Sequence, residues 1–469
     1  NWRVCPNRLP VESMTLPSSP SSQFQWTVQT KAATLIQSQV DRFADESPAL
    51  RKLGERMLTE TGTRLVDWVD HLCLRPDAAL AKQLSLAGFR VKQTADGDCW
   101  QHDAGIFPLI RLTEADKPAM AIKVDSVVDF LVAHRLNATV QGQPRSPSRT
   151  ALARESNNSR LLVIERHASR RLEQVPIAPE KIECAALHSE ALLLRKREFA
   201  NPHVGWAHAG QLLDAAKRDL GVDWACDLFF AAERRYWQSR NRAAQIQKMR
   251  QDRLGLGWAN HDHHTYRSSR QHFRSLIRLL ESLGMTCRER FYGGAQAGWG
   301  AQVLEQPATG IVVFADVDLS AEELMGDFAH DGLDPRRELG TVGLWCALHG
   351  EAMLEAGMHH LECRFDFDAA RQQLAREGID TMPPFTDMPH LKQAFTRGEI
   401  WPVTSERIEA ALANGFVTPE QARQFKANGS LGSHLEILER RGGYKGFNQS
   451  GISDIIRQTD PRKSIRRPD

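Results

Sequence analysis

No stretch of this 469-residue chain approaches eighteen consecutive apolar residues, so no membrane-spanning helix is expected. An excess of one charge is also missing: 60 basic side chains stand against 58 acidic ones, a formal net charge of +2. That balance gives no global field to gather nucleic acid or an anionic membrane surface. None of the eight cysteines belongs to a CxxC pair, a pattern that fits reduced thiols in a cytoplasmic protein better than a disulfide framework. Residues 1–23 are rich in Pro and Ser but have no apolar core segment, which excludes a secretory signal and reads as a disordered leader. The glycine-rich run 442–451 carries no Lys-Ser/Thr at phosphate-loop spacing, so a nucleotide site is not expected there. A lid or a plain C-terminal turn are the two readings of that run.

The length is enough for two or three domains with large cores. A strand, a helix ending Leu-x-x-x-Gly-apolar and further strands form a recurring unit. In its clearest copy Phe273, Leu276, Ile277, Leu280 and Leu283 fall at helical spacing, and Gly284 suits the helix end, where positive φ is easily reached. Strands are expected at 287–291, 302–304 and 311–314. A second copy begins at His359, with a helix over 368–377. Fainter copies occupy the N-terminal half: strand-like 66–72, a helix ending at Gly88, a helix at 126–134 and a closing strand at 161–166. Residues 141–158 are polar, with Pro144 and Pro147, and read as a loop. The boundaries read from this pattern are an α+β half at 24–182, a charged helical linker at 183–254 and a second α+β half at 255–469. Glu233 to Arg253 is expected to be one long polar helix with a solvated face. A helical insertion is expected at about 391–428, where Thr418 and Pro419 supply a helix start.

The chemistry concentrates in three places. His263 lies in Asn260-His261-Asp262-His263-His264-Thr265-Tyr266-Arg267, His360 in His359-His360-Leu361-Glu362, and Glu436 in His434-Leu435-Glu436-Ile437-Leu438-Glu439-Arg440. Two histidines and one carboxylate from separate strands can form a facial triad that leaves metal positions open for substrate and O2. Strand alternation leaves rivals open. It puts His261 on the face of His263, with His264 pointing away beside Asp262. Asp262 and Glu362 flank the two histidines and are expected on the opposite face. His359 and His360 cannot both face inward on a regular strand, nor can Glu436 and Glu439. Arg267, four residues beyond His263, shares its face and could grip a carboxylate bidentately; the plainer reading is a surface ion pair. His71 and Glu165 echo such a site in the N-terminal half, without a matching second histidine.

A pair of β-α-β-β-β modules with ligands on inward-facing strands resembles the vicinal oxygen chelate superfamily. Within it, residues 255 to 460 are similar to the 2-oxoadipate dioxygenase/decarboxylase family. Its Asp-His-x-x-x-Arg-[Thr/Ser] looks like Asp262 to Ser268, its Asn-His-[Leu/Val]-Thr like His359 to Glu362, and its Glu-x-x-Glu-Arg like Glu436 to Arg440. His359 and Glu362 depart from that pattern, where Asn and Thr are usual. The resemblance implies an α+β fold of paired modules forming a metal-holding cup. It also implies His263, His360 and Glu436 as ligands to Fe(II) or another divalent first-row metal, and Arg267 as the clamp on a substrate carboxylate. The activity it implies is an oxygenase that consumes O2 and converts a small 2-oxo acid by oxidative decarboxylation and hydroxylation. Two alternatives are a metal-dependent isomerase or lyase of glyoxalase type and a non-catalytic small-molecule-binding protein.

Overall fold

A computed structural model describes residues 26–295, 297–448 and 459–462; the expected leader lies outside them. Two eight-stranded sheets dominate. The first is built from β1 (Val69–Leu74), β2 (Arg90–Thr94), β3 (Gly97–Gln101), β4 (Leu109–Leu112), β5 (Ala119–Lys123), β6 (Val140–Gln141), β7 (Ser148–Glu155) and β8 (Arg160–Arg166). The second contains β9 (His261–Arg267), β10 (Thr286–Tyr292), β11 (Trp299–Glu305), β12 (Val312–Asp318), β13 (His360–Arg364), β14 (Thr386–Met388), β15 (Leu391–Phe395) and β18 (His434–Arg440). A two-residue ribbon of β16 (Ile400–Trp401) and β17 (Ser430–Leu431) lies between the last two.

The spatial orders are 2-3-4-1-5-8-7-6 and 10-11-12-9-13-18-15-14. Each is therefore two β-α-β-β-β modules joined along their first strands, which run antiparallel (β1 with β5, β9 with β13). The first strand of each module pairs in parallel with that module's last. Parallel neighbours need a crossover, and the module helix supplies it. In the third module that helix is Phe273–Ser282, whose Phe273, Leu276, Ile277 and Leu280 are fully buried. Each such side chain contributes roughly 1.5–3 kcal/mol of burial before conformational entropy is subtracted. Gly284 stops the helix at φ 77°, beside the Val222 side chain.

Three expectations need correction. Residues 148–155 are a strand, not a loop: Ser148, Ala151 and Ala153 are buried while Leu152, Arg154 and Glu155 are exposed, so a solvent-facing side rich in charge looked like a polar linker. Glu233 to Arg253 is not one solvated helix. The helices Val222–Ser239 and Arg242–Asp252 meet at Asn241, whose side chain caps the second. Glu233 is completely buried and its carboxylate takes Arg195 and Arg197, so this charge belongs to the interior. Finally, residues 391–395 are β15; the inserted helices are Ser405–Ala413 and Pro419–Asn428, the latter opened by a Thr418–Gln421 capping box. No described helix is long and apolar enough to cross a membrane.

Candidate metal centre

The two first strands of the second sheet, β9 and β13, meet at the middle of a cup. Their register pairs His360 with Thr265 and Glu362 with His263, then slips by one residue so that Cys363 faces His261. The slip is a bulge at Asp262, and it overrides simple alternation. His261 is thereby turned to the face of His264, the two ring centroids 5.1 Å apart, and away from His263. The expectation that His261 shares a face with His263 fails for this reason. The bulge also leaves Asp262 beside His263 rather than opposite it.

His263, His360 and Glu436 come together, their ligand atoms all within 4.8 Å of one another and all three side chains buried. His360 Nε2 lies 3.0 Å from Glu436 Oε2. Each imidazole is steered through its other nitrogen: His263 Nδ1 lies 3.4 Å from Asp262 Oδ1, and His360 Nδ1 lies 2.9 Å from His359 Nδ1. Both Nε2 atoms are left for the centre, the arrangement by which orienting partners fix metal-binding imidazoles. His359 is thus the neighbour that holds His360, not its rival. Glu439 faces the other way, accepting the Phe367 N–H at 2.8 Å and pairing with Arg64 and Arg441.

Glu362 was expected outside but lies inside. It is two residues along from His360, so the same alternation that turns Leu361 away brings it back. It contacts His263 Nε2, and Gln393 of β15 bridges the two carboxyls, donating to Glu362 Oε1 at 3.2 Å and Glu436 Oε1 at 3.1 Å. Phe314, Phe395 and Phe447 wall the centre; Phe314 and Phe447 lie 4.6 and 5.2 Å from the His263 ring, and Phe395 lies 5.2 Å from that of His360. Phe447 belongs to the glycine-rich run, of which residues 449–451 lie outside the described residues.

The electrostatics suit a cation. Burial holds His263 below its ordinary value, and burial together with Arg267 brings His360 down to about 3, so both imidazoles are neutral donors. Burial pushes Glu436 up to about 7, and burial with the neighbouring Glu436 pushes Glu362 above the carboxylate range. Burial also opposes ionisation of Asp262, yet Arg440 and Arg364 outweigh it and keep that carboxylate charged. Arg440 donates to Asp262 at 3.0–3.2 Å and Arg364 at 2.8 Å. A divalent metal would favour the charged form of a buried carboxyl here, and two neutral imidazoles with one carboxylate are a donor set for Fe(II). The residues present therefore fit such an ion.

Arg267 is 4 % exposed, and among the described residues its guanidinium has no hydrogen-bond or ion-pair partner; only the Trp345 ring lies under it, at 5.6 Å. Its plainer reading as a surface ion pair is thus excluded. Asp316, its Cα partner on β12, is buried with Oδ1 unpartnered, and burial pushes its carboxyl up to about 8. A guanidinium and a carboxyl that are neighbours across two strands yet do not bond leave unmet polar groups facing the cup. Elsewhere, Glu281, Cys287 and His330 also approach one another, but at the surface, where His330 already binds Glu281 and Asp327.

The first sheet repeats this architecture without the ligands. Strand register aligns His71 with His263, Asp70 with Asp262 and Arg166 with Arg440, and the bulge recurs at the same place. Ala119 stands where His360 is, and Leu162 where Glu436 is. His71 is thus a true positional echo, whereas Glu165 accepts the Val127 N–H and binds His167.

Modules of this topology, curled in pairs around an inward-facing set of ligands, are the architecture of the vicinal oxygen chelate fold. No protein-family model matches the chain and no curated protein is significantly similar to it. Among solved structures it is similar to a 4-hydroxymandelate synthase mutant from Streptomyces coelicolor, at 12 % identity over 84 % of this chain and 97 % of that one, with a TM-score of 0.27. It is also similar to methylmalonyl-CoA epimerase from Mycobacterium tuberculosis, at 13 % identity over 39 % and 88 %, with a TM-score of 0.23. A Mn(II)-bound glyoxalase from Novosphingobium aromaticivorans shares 9 % identity over 80 % and 82 %, with a TM-score of 0.19. The paired-module architecture stands on strand order and register; superpositions this loose add nothing to it.

Proposed function

We propose that this chain is a metal-dependent enzyme in which His263, His360 and Glu436 hold one divalent first-row metal, Fe(II) in the leading reading. Its reaction on that reading is the O2-dependent oxidative decarboxylation and hydroxylation of a small 2-oxo acid. The observation that carries it is the pairing of three buried, converging donors with one buried, unpartnered guanidinium in the same cup. When bound, the metal supplies activation of O2 and a chelating point for the 2-oxo acid. The chain's own groups do the rest. Arg267 takes the carboxylate at the far end of the substrate, in a dry pocket where a charge-assisted pair is strong. The Phe314, Phe395 and Phe447 rings exclude water. Asp262 and His359 hold the two imidazoles in the tautomers that aim Nε2 inward. Anaerobic reconstitution with Fe(II), followed by oxygen-uptake measurements across a series of 2-oxo acids, tests this reading. Failure of the protein to retain any first-row metal would end it.

Glu362 favours one other reading. A second carboxyl touching the His263 ring is placed as a proton-transferring base beside the metal, as an isomerase or lyase of glyoxalase type requires. Turnover of a 2-oxo compound without oxygen consumption selects that reading, and loss of turnover in Glu362→Gln with metal retained assigns the base.

A further inference from the structure

A cleft of roughly 1940 Å³ opens between the two sheets, and none of the three candidate ligands lines it. Its walls include Lys123 at the end of β5, His261 on the outward face of β9, and Asp227 from the helix Val222–Ser239. Most of the cations along this cleft are satisfied. Arg166 is bidentate to Asp70 with both bonds at 2.7 Å, Arg364 and Arg440 hold Asp262, and Lys445 pairs with Glu305 at 3.2 Å. Lys123 differs: among the described residues it makes no hydrogen bond and no ion pair, although its side chain is half-buried. The carboxylates whose fields reach it are Asp70 and Asp227. Asp70 is taken by Arg166 and His71, and Asp227 by His167 at 3.0 Å. Beside it, His261 Nδ1 is buried without a partner, and Arg234 donates only to His264, at 3.2 Å. Lys123 and the open imidazole nitrogen of His261 therefore line one cleft within the field of Arg234, while the two carboxylates nearest Lys123, Asp70 and Asp227, are already bonded to Arg166, His71 and His167. A protein does not hold a partly desolvated ammonium in that state without a ligand to meet it or a substantial electrostatic cost.

We propose that this cleft holds a second site, for a small dianion (a phosphate group or a dicarboxylate), centred on Lys123 and separate from the metal cup. Lys123 supplies the charge, His261 a ring nitrogen that turns to donate, and the cleft the room for the remainder of the molecule. The site is adjacent to the candidate metal centre: Asp262 lines the cleft and lies beside His263 Nδ1, and Phe447 lines it while meeting the same ring edge to face. Occupancy of the cleft thus bears on the wall of the cup through β9 and Phe447.

The test uses the 469-residue chain, with and without added metal, and does not depend on turnover. Isothermal calorimetry is run with inorganic phosphate and with succinate against chloride at matched ionic strength. Saturable binding of either dianion is expected. Binding of phosphate alone identifies a phosphorylated ligand, and binding of succinate alone a dicarboxylate. Lys123→Met and Lys123→Gln should each weaken that binding at least tenfold, Lys123→Arg should keep most of it, and metal content should stay unchanged in all three. The proposal is overturned if neither dianion binds above chloride, or if the neutral variants bind as tightly as the wild type. Because binding is read by heat and the metal by elemental analysis, failure here leaves the metal-centre reading untouched, and the converse also holds.

Discussion

Replacing Arg267 by Met should make the ligand-free protein more stable and the enzyme far less active. The guanidinium is buried, its Nε and Nη1 have no partner among the described residues, and burial holds its pKa below the usual arginine value, with Asp316 only partly offsetting this. Removing a buried, uncompensated charge in favour of an apolar side chain of similar reach typically gains about 1–4 kcal/mol. Against this stands the lost interaction with Trp345, about 0.5–1 kcal/mol. The net expectation is a gain of roughly 1–3 kcal/mol, which for a half of this size raises Tm by about 2–10 °C. Activity moves the other way. A charge-assisted carboxylate pair in a dry pocket is worth roughly 2–4 kcal/mol, so kcat/KM should fall by about 30- to 1,000-fold while metal content holds. Arg267→Lys keeps the charge but not the bidentate fork, and should lose activity without the gain in Tm. Thermal melts of metal-free and metal-loaded protein, together with oxygen-uptake kinetics, read both sides. A Met variant that melts several degrees lower would refute the reasoning, because the guanidinium would then be a structural bond and the substrate anchor would lie elsewhere.

His360→Ala and Glu436→Gln should each abolish stoichiometric metal binding, measured by elemental analysis after reconstitution. His359→Ala should weaken metal binding by about 10- to 100-fold through loss of the Nδ1 partner, and His359→Asn, which restores a hydrogen-bonding group there, should recover most of it. Asp262→Asn leaves Arg364 and Arg440 without their shared carboxylate and should destabilise the second half by about 3–5 kcal/mol, read by denaturant unfolding. Stability should also fall as pH rises. Burial opposes protonation of His71 and His167, but bonds to Asp70 and Cys73 raise the first to about 9, and bonds to Asp227 and Glu165 raise the second to about 10. A raised folded-state pKa gives stability that is fully present below the unfolded value of about 6.5 and is lost as pH climbs through 9 and 10. Melting curves from pH 6 to 10.5 should therefore decline, and the decline should shrink in His71→Asn and His167→Asn; a flat profile would sink the assignment.

The module repeat was readable because each copy ends its helix with the same apolar spacing and, in the clearest ones, a glycine at positive φ, as at Gly88, Gly284 and Gly378. The two candidate histidines stood out in the sequence because they recur at one place in successive modules, and the structure brings both beside Glu436. What sequence hid was mostly a matter of register. A single bulge at Asp262 reverses which of its neighbours face the cup, and nothing in the run His261-Asp262-His263-His264 marks it. Glu362 was recoverable from alternation with His360, since residues two apart on a strand share a face. Gln393 was not, because β15 is only five residues long and adjoins the helical insertion. Asp316 sits in the apolar strand β12 and becomes notable only once its neighbour across the sheet is known to be Arg267.

The duplicated first sheet separates scaffold from chemistry. Asp70 and Arg166 reproduce the Asp262–Arg440 bond, and both acids sit at a bulge in the first strand of their sheet's opening module. Since Ala119 and Leu162 stand at the positions of His360 and Glu436, the first sheet cannot assemble the three-donor set, yet it retains the bond. The Asp–Arg bond therefore does not exist for the metal. It ties the closing strand of one module to the opening strand of the other across the seam, where a bulge has opened the ladder and would otherwise leave a carboxylate buried alone. What distinguishes the second sheet is the set of residues placed on that common frame: a second histidine, two carboxyls bridged by Gln393, and an arginine left unbonded. Each is expensive to bury without a ligand, and together they are the observations on which the proposed function rests.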